Sequence, residues 1–268
     1  CMPQFQTKSG NTLHGPMTWI ASDIYIGKSL ETYGQFSASE THLFQHFIQP
    51  GFTVLDVGAN IGVFTVALAR MVTPAGSVLA FEPQQGVFDI LSSNIESNCL
   101  NNITLYQSGV GRKAGSLSVP DQDYNTAGNF GGVELSTDTN TGKPTEIITI
   151  DSLGLTACHF IKIDVEGMEA EVLAGATNTI TKLRPVVFVE NDRKHKSVEL
   201  IKSLLDLNYR LYLHLAPLFE ANNFYKNSSN IFGDSVSANM LCLPNELEQN
   251  ISGMTEIKHP EDLLTILP

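Results

Sequence analysis

The feature that most constrains this chain is an alternation of short, continuously apolar runs with stretches whose apolar residues recur at helical spacing. From Phe52 onward it reads strand Thr53-Val54-Leu55, helix with Phe64, Val66, Ala67, Leu68 and Met71, and strand Ser77 to Phe81. A helix with Val87, Leu91 and Ile95 and strand Ile103 to Tyr106 follow. The pattern resumes with strand His159 to Ile163, one helix carrying Met168, Val172, Ala176 and Ile180, and strand Val186 to Val189. It closes with a helix with Val198, Ile201 and Leu205, then strands Arg210 to Leu215 and Asn239 to Leu243. Strands that are apolar throughout are covered on both faces, so the alternation predicts an α/β, doubly wound, mostly parallel sheet. The last two strands have no helix between them and are expected as an antiparallel pair at one edge.

Two regions depart from this rhythm. Before Phe52, Thr18 to Ser22 and Asp23 to Gly27 read as short strands. Ser37 and Glu40 have the spacing of a capping box, predicting a helix with Leu43, Phe44, Phe47 and Ile48 that Pro50-Gly51 stops. Residues 1–50 are therefore expected as an extension packed on a core domain of residues 51–268. Residues 111–145, rich in Gly, Asn, Asp and Thr, read as an inserted hairpin plus a long loop. A loop of that length inside a compact domain points to function.

Composition excludes some partners. With 16 Lys and Arg against 28 Asp and Glu, the net charge of −12 argues against nucleic acid, whose phosphates need a basic face. No apolar stretch approaches the ~20 residues that span a bilayer, and no basic-then-apolar leader is visible, so no membrane partner is expected. Cys1, Cys99, Cys158 and Cys242 lack metal-ligand spacing. The last three are expected as reduced structural thiols of a cytoplasmic protein. The first residue is Cys1 and not Met, which leads to the expectation of a piece of a longer, multidomain chain.

Four core strands stop in a carboxylate: Leu55 in Asp56, Phe81 in Glu82, Ile163 in Asp164 and Val189 in Glu190. In a parallel sheet these exits lie on one rim, where ligands bind. The first leads into Asp56-Val57-Gly58-Ala59-Asn60-Ile61-Gly62, where Gly58 and Gly62 would let the backbone approach a ligand closely. A dinucleotide fingerprint would read G-x-G-x-x-G. Here Asn60 replaces the middle glycine, and Asp56 would repel a phosphate but could face an ammonium or sulfonium. Glu82, at the second exit, suits both hydroxyls of a ribose.

These blocks, with Phe81-Glu82-Pro83, Ile163-Asp164-Val165-Glu166-Gly167-Met168-Glu169, Val172-Leu173-Ala174-Gly175-Ala176 and Asn239 to Pro244, resemble the FkbM family of S-adenosylmethionine (SAM)-dependent methyltransferases over roughly residues 20–244. The resemblance implies a Rossmann-like class I methyltransferase fold, with seven strands ordered 3-2-1-4-5-7-6 and the last antiparallel. It implies SAM held by Asp56, Gly58, Ala59, Asn60 and Gly62, with Glu82 and Pro83 at the ribose and Ser108 and Gly109 near the adenine. Asp164 would stand by the methyl group. The implied acceptor is a small molecule, methylated at a hydroxyl of a sugar, polyketide or related metabolite.

An alcohol acceptor needs a base or a metal to take its proton. Asp164 and Glu190 are the candidates to orient or deprotonate it, with Asn191 and Asp192 following Glu190. A divalent metal such as Mg²⁺ shared by Asp164 and Glu190 is an alternative, and Glu166 is open between a site role and binding backbone amides at a helix start. His214 and His195 read as structural or solvated. Tyr33 and Asn125–Phe130 are candidates for a lid. Two rival functions remain at this point: an NAD(P)-dependent oxidoreductase, and a SAM-binding module without catalysis.

Overall fold

A computed structural model describes residues 5–138 and 142–265. In chain order its elements are β1 (Thr7–Thr12), β2 (Gly15–Ile20), α1 (Ile26–Tyr33), α2 (Ala38–Phe44), β3 (Thr53–Val57), α3 (Val63–Val72), β4 (Ser77–Phe81) and α4 (Gln85–Ser97). Next come β5 (Ile103–Tyr106), β6 (Gly109–Val110), β7 (Gly115–Val119), β8 (Lys143–Ile148), β9 (Phe160–Ile163), α5 (Glu169–Ala174), α6 (Thr177–Leu183) and β10 (Val186–Glu190). The chain then runs through α7 (Lys194–Asp206), β11 (Tyr209–Pro217), β12 (Val236–Pro244) and β13 (Thr255–Ile257).

The main sheet has the order β13-β11-β12-β10-β9-β3-β4-β5. β10, β9, β3, β4 and β5 pair in parallel, and β12 runs antiparallel to both β10 and β11. Counted along the seven expected strands this is 3-2-1-4-5-7-6 with the seventh reversed. The short β13 adds an eighth strand beside β11. Successive side chains of one strand serve opposite faces. Leu55, Val57, Ile161, Ile163, Val187 and Val189 meet Val172, Ile180, Leu200 and Leu204 on one side. Val54, Phe160, Val186 and Phe188 meet Phe44, Phe64 and Leu68 on the other.

The N-terminal residues form a β1–β2 hairpin and two short helices. Asn94 of α4 clamps the hairpin to the core: its Oδ1 accepts from Thr18 N at 2.7 Å, and its Nδ2 donates to Thr18 O and Ile61 O. The expected strand at Asp23–Gly27 does not form. Asp23 Oδ1 accepts from Tyr25 N at 2.8 Å, a local turn that feeds the chain into α1. The capping box does not close either. Ser37 takes a left-handed conformation without a side-chain cap, because Glu40 turns inward and accepts from Asn239 Nδ2 at 2.7 Å.

The helix expected through Met168 and Ile180 is two helices. Gly175 breaks it where the chain packs against the β6–β7 connection, since a Cβ there would lie 2.0 Å from Gly111 O. Asp151 then starts α6 afresh, accepting from Asn178 N and Thr179 N. Within 111–145, β7 and β8 pair antiparallel, and with β6 they make a small separate sheet. Residues 139–141 of that segment, and Cys1, lie outside the described residues. Cys158 and Cys242 are buried free thiols, and Cys99 is an exposed one. Among the described residues no helix is long and apolar enough to cross a membrane.

Gly175→Ala places a methyl group against backbone that cannot swing away, at a φ any residue adopts. The variant is expected to lose about 1–3 kcal/mol of stability in urea unfolding. A loss below ~0.5 kcal/mol, the level of a neutral surface change, would show that the close approach is not kept.

Candidate functional site

A cavity of about 540 Å³ opens at the carboxyl ends of β3, β4, β9 and β10. Glu82, Asp164 and Glu190, three of the four acids at strand ends, line it. Gly58, Ala59 and Asn60 of the β3–α3 turn line it too, as do Pro83, Ser108 and Gly109. Asp56 and Gly62 do not.

The turn is shaped by the protein's own backbone. Gly58 has φ +81°, and a Cβ on it would fall 1.7 Å from Asp164 O, so this glycine admits the neighbouring strand's exit and not a ligand. Gly62, at φ +91°, makes room for Leu91. Between them Asn60 also takes a positive φ, and its Oδ1 accepts from Ile61 N at 2.7 Å. This conformation aims Asn60 N at Glu82 Oε2, 3.0 Å away, while Gln84 N donates to Glu82 Oε1 at 2.8 Å. The Glu82 carboxylate is thus fixed in the cavity wall. Burial pushes its pKa up to about 7 despite the two amides.

Asp56 lies beneath the floor, fully buried, which corrects the expectation that it faces a ligand's positive charge. Its Oδ2 accepts from Thr65 Oγ1 at 2.6 Å, and its Oδ1 lies 3.3 Å from Lys162 Nζ. Lys162, a residue of β9, is the cation around which the floor is organised. Its ammonium sits 3.5 Å from Asp164 Oδ2, donates to Gly58 O at 3.1 Å and lies 4.9 Å from the centre of the Phe64 ring. Burial works against that charge, but Asp56 and Asp164 outweigh it and raise the lysine pKa. A lysine inside the apolar run Phe160-Ile161-Lys162-Ile163 was the signal for it.

The far end of the cavity is acidic. Asp164, Glu166 and Glu190 each bring a carboxylate oxygen within 4.8 Å of the others, and Asp192 adds a fourth acid to the lining. Glu166 takes φ +55° and accepts from Arg193 Nη2 at 2.7 Å, although burial and Asp164 push its pKa up to about 7. The amide-binding acid at the helix start is instead Glu169, which accepts from Gly167 N and Val165 N. Glu190 is held well above the ordinary carboxylate range by burial and by the acids around it, and its Oε2 has no hydrogen-bond partner.

The walls come from distant segments: Tyr25, Ile26 and Phe36 near the N-terminus, Asn129 to Leu135 of the insertion, and Leu218 with Asp234–Ser237 of the β11–β12 connection. The expected lid is reassigned. Of Asn125–Phe130 only Asn129 reaches the cavity, while Phe130 is buried and its carbonyl accepts from Gln84 Nε2 at 2.9 Å. Tyr33 instead pins the β11–β12 connection through Ser229 O and Ile231 N. His214 stands against Phe188 away from the cavity, and His195 is exposed.

Residues 56–211 match the family described as the methyltransferase FkbM domain. Methyltransferase 1 of Beauveria bassiana is 28% identical over 158 residues, 51% of this chain and 63% of that protein. Methyltransferase sdnD of Sordaria araneosa is 29% identical over 169 residues, 51% and 65% of the two chains. The hexuronic acid methyltransferase AglP of Haloferax volcanii is 29% identical over 133 residues, 49% and 53%. The chain therefore spans a little under two thirds of the length of the first two relatives. A crystal structure of an FkbM methyltransferase from Methylobacillus flagellatus has 17% identity and a TM-score of 0.49, over 76% of this chain and 50% of that one.

Two measurements check the electrostatics. Lys162→Met leaves Asp56 buried without its cation and is expected to cost about 3–5 kcal/mol, much of it recovered in Lys162→Met/Asp56→Asn. Full stability in the single variant would mean the pair is not formed. Glu40, Glu82 and Glu166 are raised to about 7 from an unfolded value of 4.5, so the folded chain holds protons that the unfolded chain releases. Their contribution is complete below pH 4.5 and lost as pH rises through 7. The thermal midpoint should therefore be lower at pH 8 than at pH 5.5; an equal or higher midpoint at pH 8 contradicts the assignment.

Proposed function

The chain belongs to the FkbM methyltransferase family, and from that premise we propose that it transfers a methyl group from SAM to a hydroxyl of a small-molecule acceptor. The observation that carries the proposal is Glu82: a buried carboxylate, held by Asn60 N and Gln84 N, presented to a cavity whose opposite end is acidic. A ribose diol is a natural partner for such a carboxylate. Ser108 Oγ is a buried hydroxyl without a partner in the same wall, ready for a polar group of a base. The acids favour a positively charged ligand and disfavour a pyrophosphate. The donor set therefore fits SAM better than a dinucleotide.

SAM, when bound, supplies a methyl group made electrophilic by a positively charged sulfur. The chain's own residues do the rest. Glu82, with Pro83 fixing the chain after it, would accept from the ribose hydroxyls, and the Gly58–Asn60 backbone, Ser108 and Gly109 would border the nucleoside. Asp164 and Glu190 would receive the acceptor, orient its hydroxyl and take its proton. Because burial raises Glu190, its base form gains population as pH rises, so turnover should increase with pH. Walls drawn from residues 25–36, 129–135 and 218–237 would shape the acceptor's place. A relative named for hexuronic acid supports a hydroxyl-rich acceptor such as a sugar. Residues 51–268 would form the catalytic domain and residues 1–50 its extension.

Calorimetry with S-adenosylhomocysteine and NADH tests the donor. S-adenosylhomocysteine is expected to bind and NADH not, and Glu82→Ala should weaken the former at least about tenfold, the loss of a charged hydrogen-bond acceptor. Binding of NADH alone would overturn the reading in favour of an oxidoreductase. Radiolabelled SAM with a pooled metabolite extract tests transfer. Glu190→Gln should lower label incorporation by about 10²-fold or more while leaving S-adenosylhomocysteine affinity intact. No incorporation by the native chain would leave a binding module without catalysis.

A further inference from the structure

Residues 124–131 of the insertion lie between the loops that carry Glu82 and Asn60 and the N-terminal wall of the cavity. Gln84 makes the central tie. Its backbone N donates to Glu82 Oε1 at 2.8 Å, and its buried side chain donates from Nε2 to Phe130 O at 2.9 Å. Tyr124 Oη lies 3.4 Å from Gln84 Oε1, and its ring packs between Phe5 and Phe130 with centroids 4.6 and 4.9 Å away. Gly131 passes the β3–α3 turn so closely that a Cβ on it would fall 3.3 Å from Asn60 Nδ2. On its other side the segment holds the chain before α1. Ser22 Oγ donates to Tyr124 O at 2.6 Å, Ile24 N to Gly128 O at 3.1 Å, and Gly128 N to Ser22 O at 3.2 Å. The next two residues, Tyr25 and Ile26, are cavity wall, as are Asn129 and Gly131.

We propose that Gln84 is a positioning residue that couples the two halves of the site: a donor held at Glu82 fixes residues 124–131, and these fix the wall at Tyr25 and Ile26. The proposal rests on the reading of Glu82 as the ribose carboxylate. No helix or regular strand lies within the segment, and Asn125, Thr126 and Ala127 are exposed. Stretches of this kind open locally at low free energy. What resists opening is the tie between buried groups, since parting Gln84 from Phe130 leaves an amide and a carbonyl unpaired. Opening also takes Asn129 and Gly131 out of the cavity. A ligand that touches both Glu82 and this wall therefore binds the closed form better than the open one. It shifts the equilibrium by that difference in affinity, and the coupling is reciprocal. Because Ile24 and Ser22 hang on the same segment, the wall at Tyr25 and Ile26 is complete only once the donor is in place. The donor thus binds first, and the acceptor meets a finished wall.

The test is amide hydrogen exchange of the full chain with and without S-adenosylhomocysteine, read at Ile24 and Gly128, whose N–H groups make the ties described above. In the native chain the ligand is expected to slow both amides about fivefold or more, the lower end of ordinary coupling, and to leave α7 unchanged. Gln84→Met keeps the backbone N–H to Glu82 and deletes the side-chain donor. It should lose the ligand-dependent slowing at both amides. By reciprocity its S-adenosylhomocysteine affinity should fall by no more than the factor by which the ligand slows exchange in the native chain. Retention of the slowing in Gln84→Met overturns the proposal, because a purely structural tie would change exchange in the free chain and leave the ligand's effect. The native comparison needs no variant: S-adenosylhomocysteine bound while Ile24 and Gly128 exchange as before overturns this proposal alone. Absence of S-adenosylhomocysteine binding overturns the donor reading and the coupling with it, so the two failures are told apart.

Discussion

Everything around the cavity depends on one ammonium group held inside a sheet. Lys162 occupies a strand flanked on both sides by parallel neighbours, so its charge can be carried there only if the neighbouring strand ends supply oxygen. Asp56, Asp164 and the Gly58 carbonyl do so. The same contacts fix the ends of β3 and β9 against each other, and with them the turn at Gly58, whose missing Cβ lets the Asp164 carbonyl pass. Asp56 is therefore a partner of the floor. The rim it was expected to share belongs to Glu82, Asp164 and Glu190.

The parts of the fold that could be read from sequence are those whose environment is uniform along a segment. β4 begins and ends where the apolar run Ser77–Phe81 does, because both faces of that strand are covered, whereas β5 at the sheet edge keeps the bounds Ile103–Tyr106 with Thr104 exposed. The N-terminal hairpin was legible only in part. β1 is the polar run Thr7–Thr12, mostly exposed, and its existence rests on pairing with β2 and on the Asn94 clamp. Gly175 and Glu40 misled for the same reason: each answers to a distant contact, Gly111 in one case and Asn239 in the other, that local spacing does not contain.

The site divides along the same line. Glu82, Asp164 and Glu190 were visible because a strand exit is a local signal with a known position on the sheet. Lys162 was equally visible as a charge in an apolar run, but what it holds is decided across strands. The walls were invisible, since Tyr25, Val133 and Val236 come together only in three dimensions. What the structure adds to the acids is their inequality: Asp164 and Glu166 have cations, Glu190 is raised by burial and by the acids near it, and Glu169 is occupied with backbone amides.

That the walls are borrowed from three remote stretches has a consequence for folding. The sheet itself closes over a long separation where β3 meets β9, Val54 opposite Phe160, and the cavity is enclosed only after residues 25–36, 129–135 and 218–237 have docked on that sheet. Contacts of such long range are the last to be made in a domain of this kind. The pocket is thus the final product of folding, and a ligand that fits it rewards only the completely assembled chain. Occupancy would then act as quality control, adding a ligand's contacts to those by which the core already holds these segments.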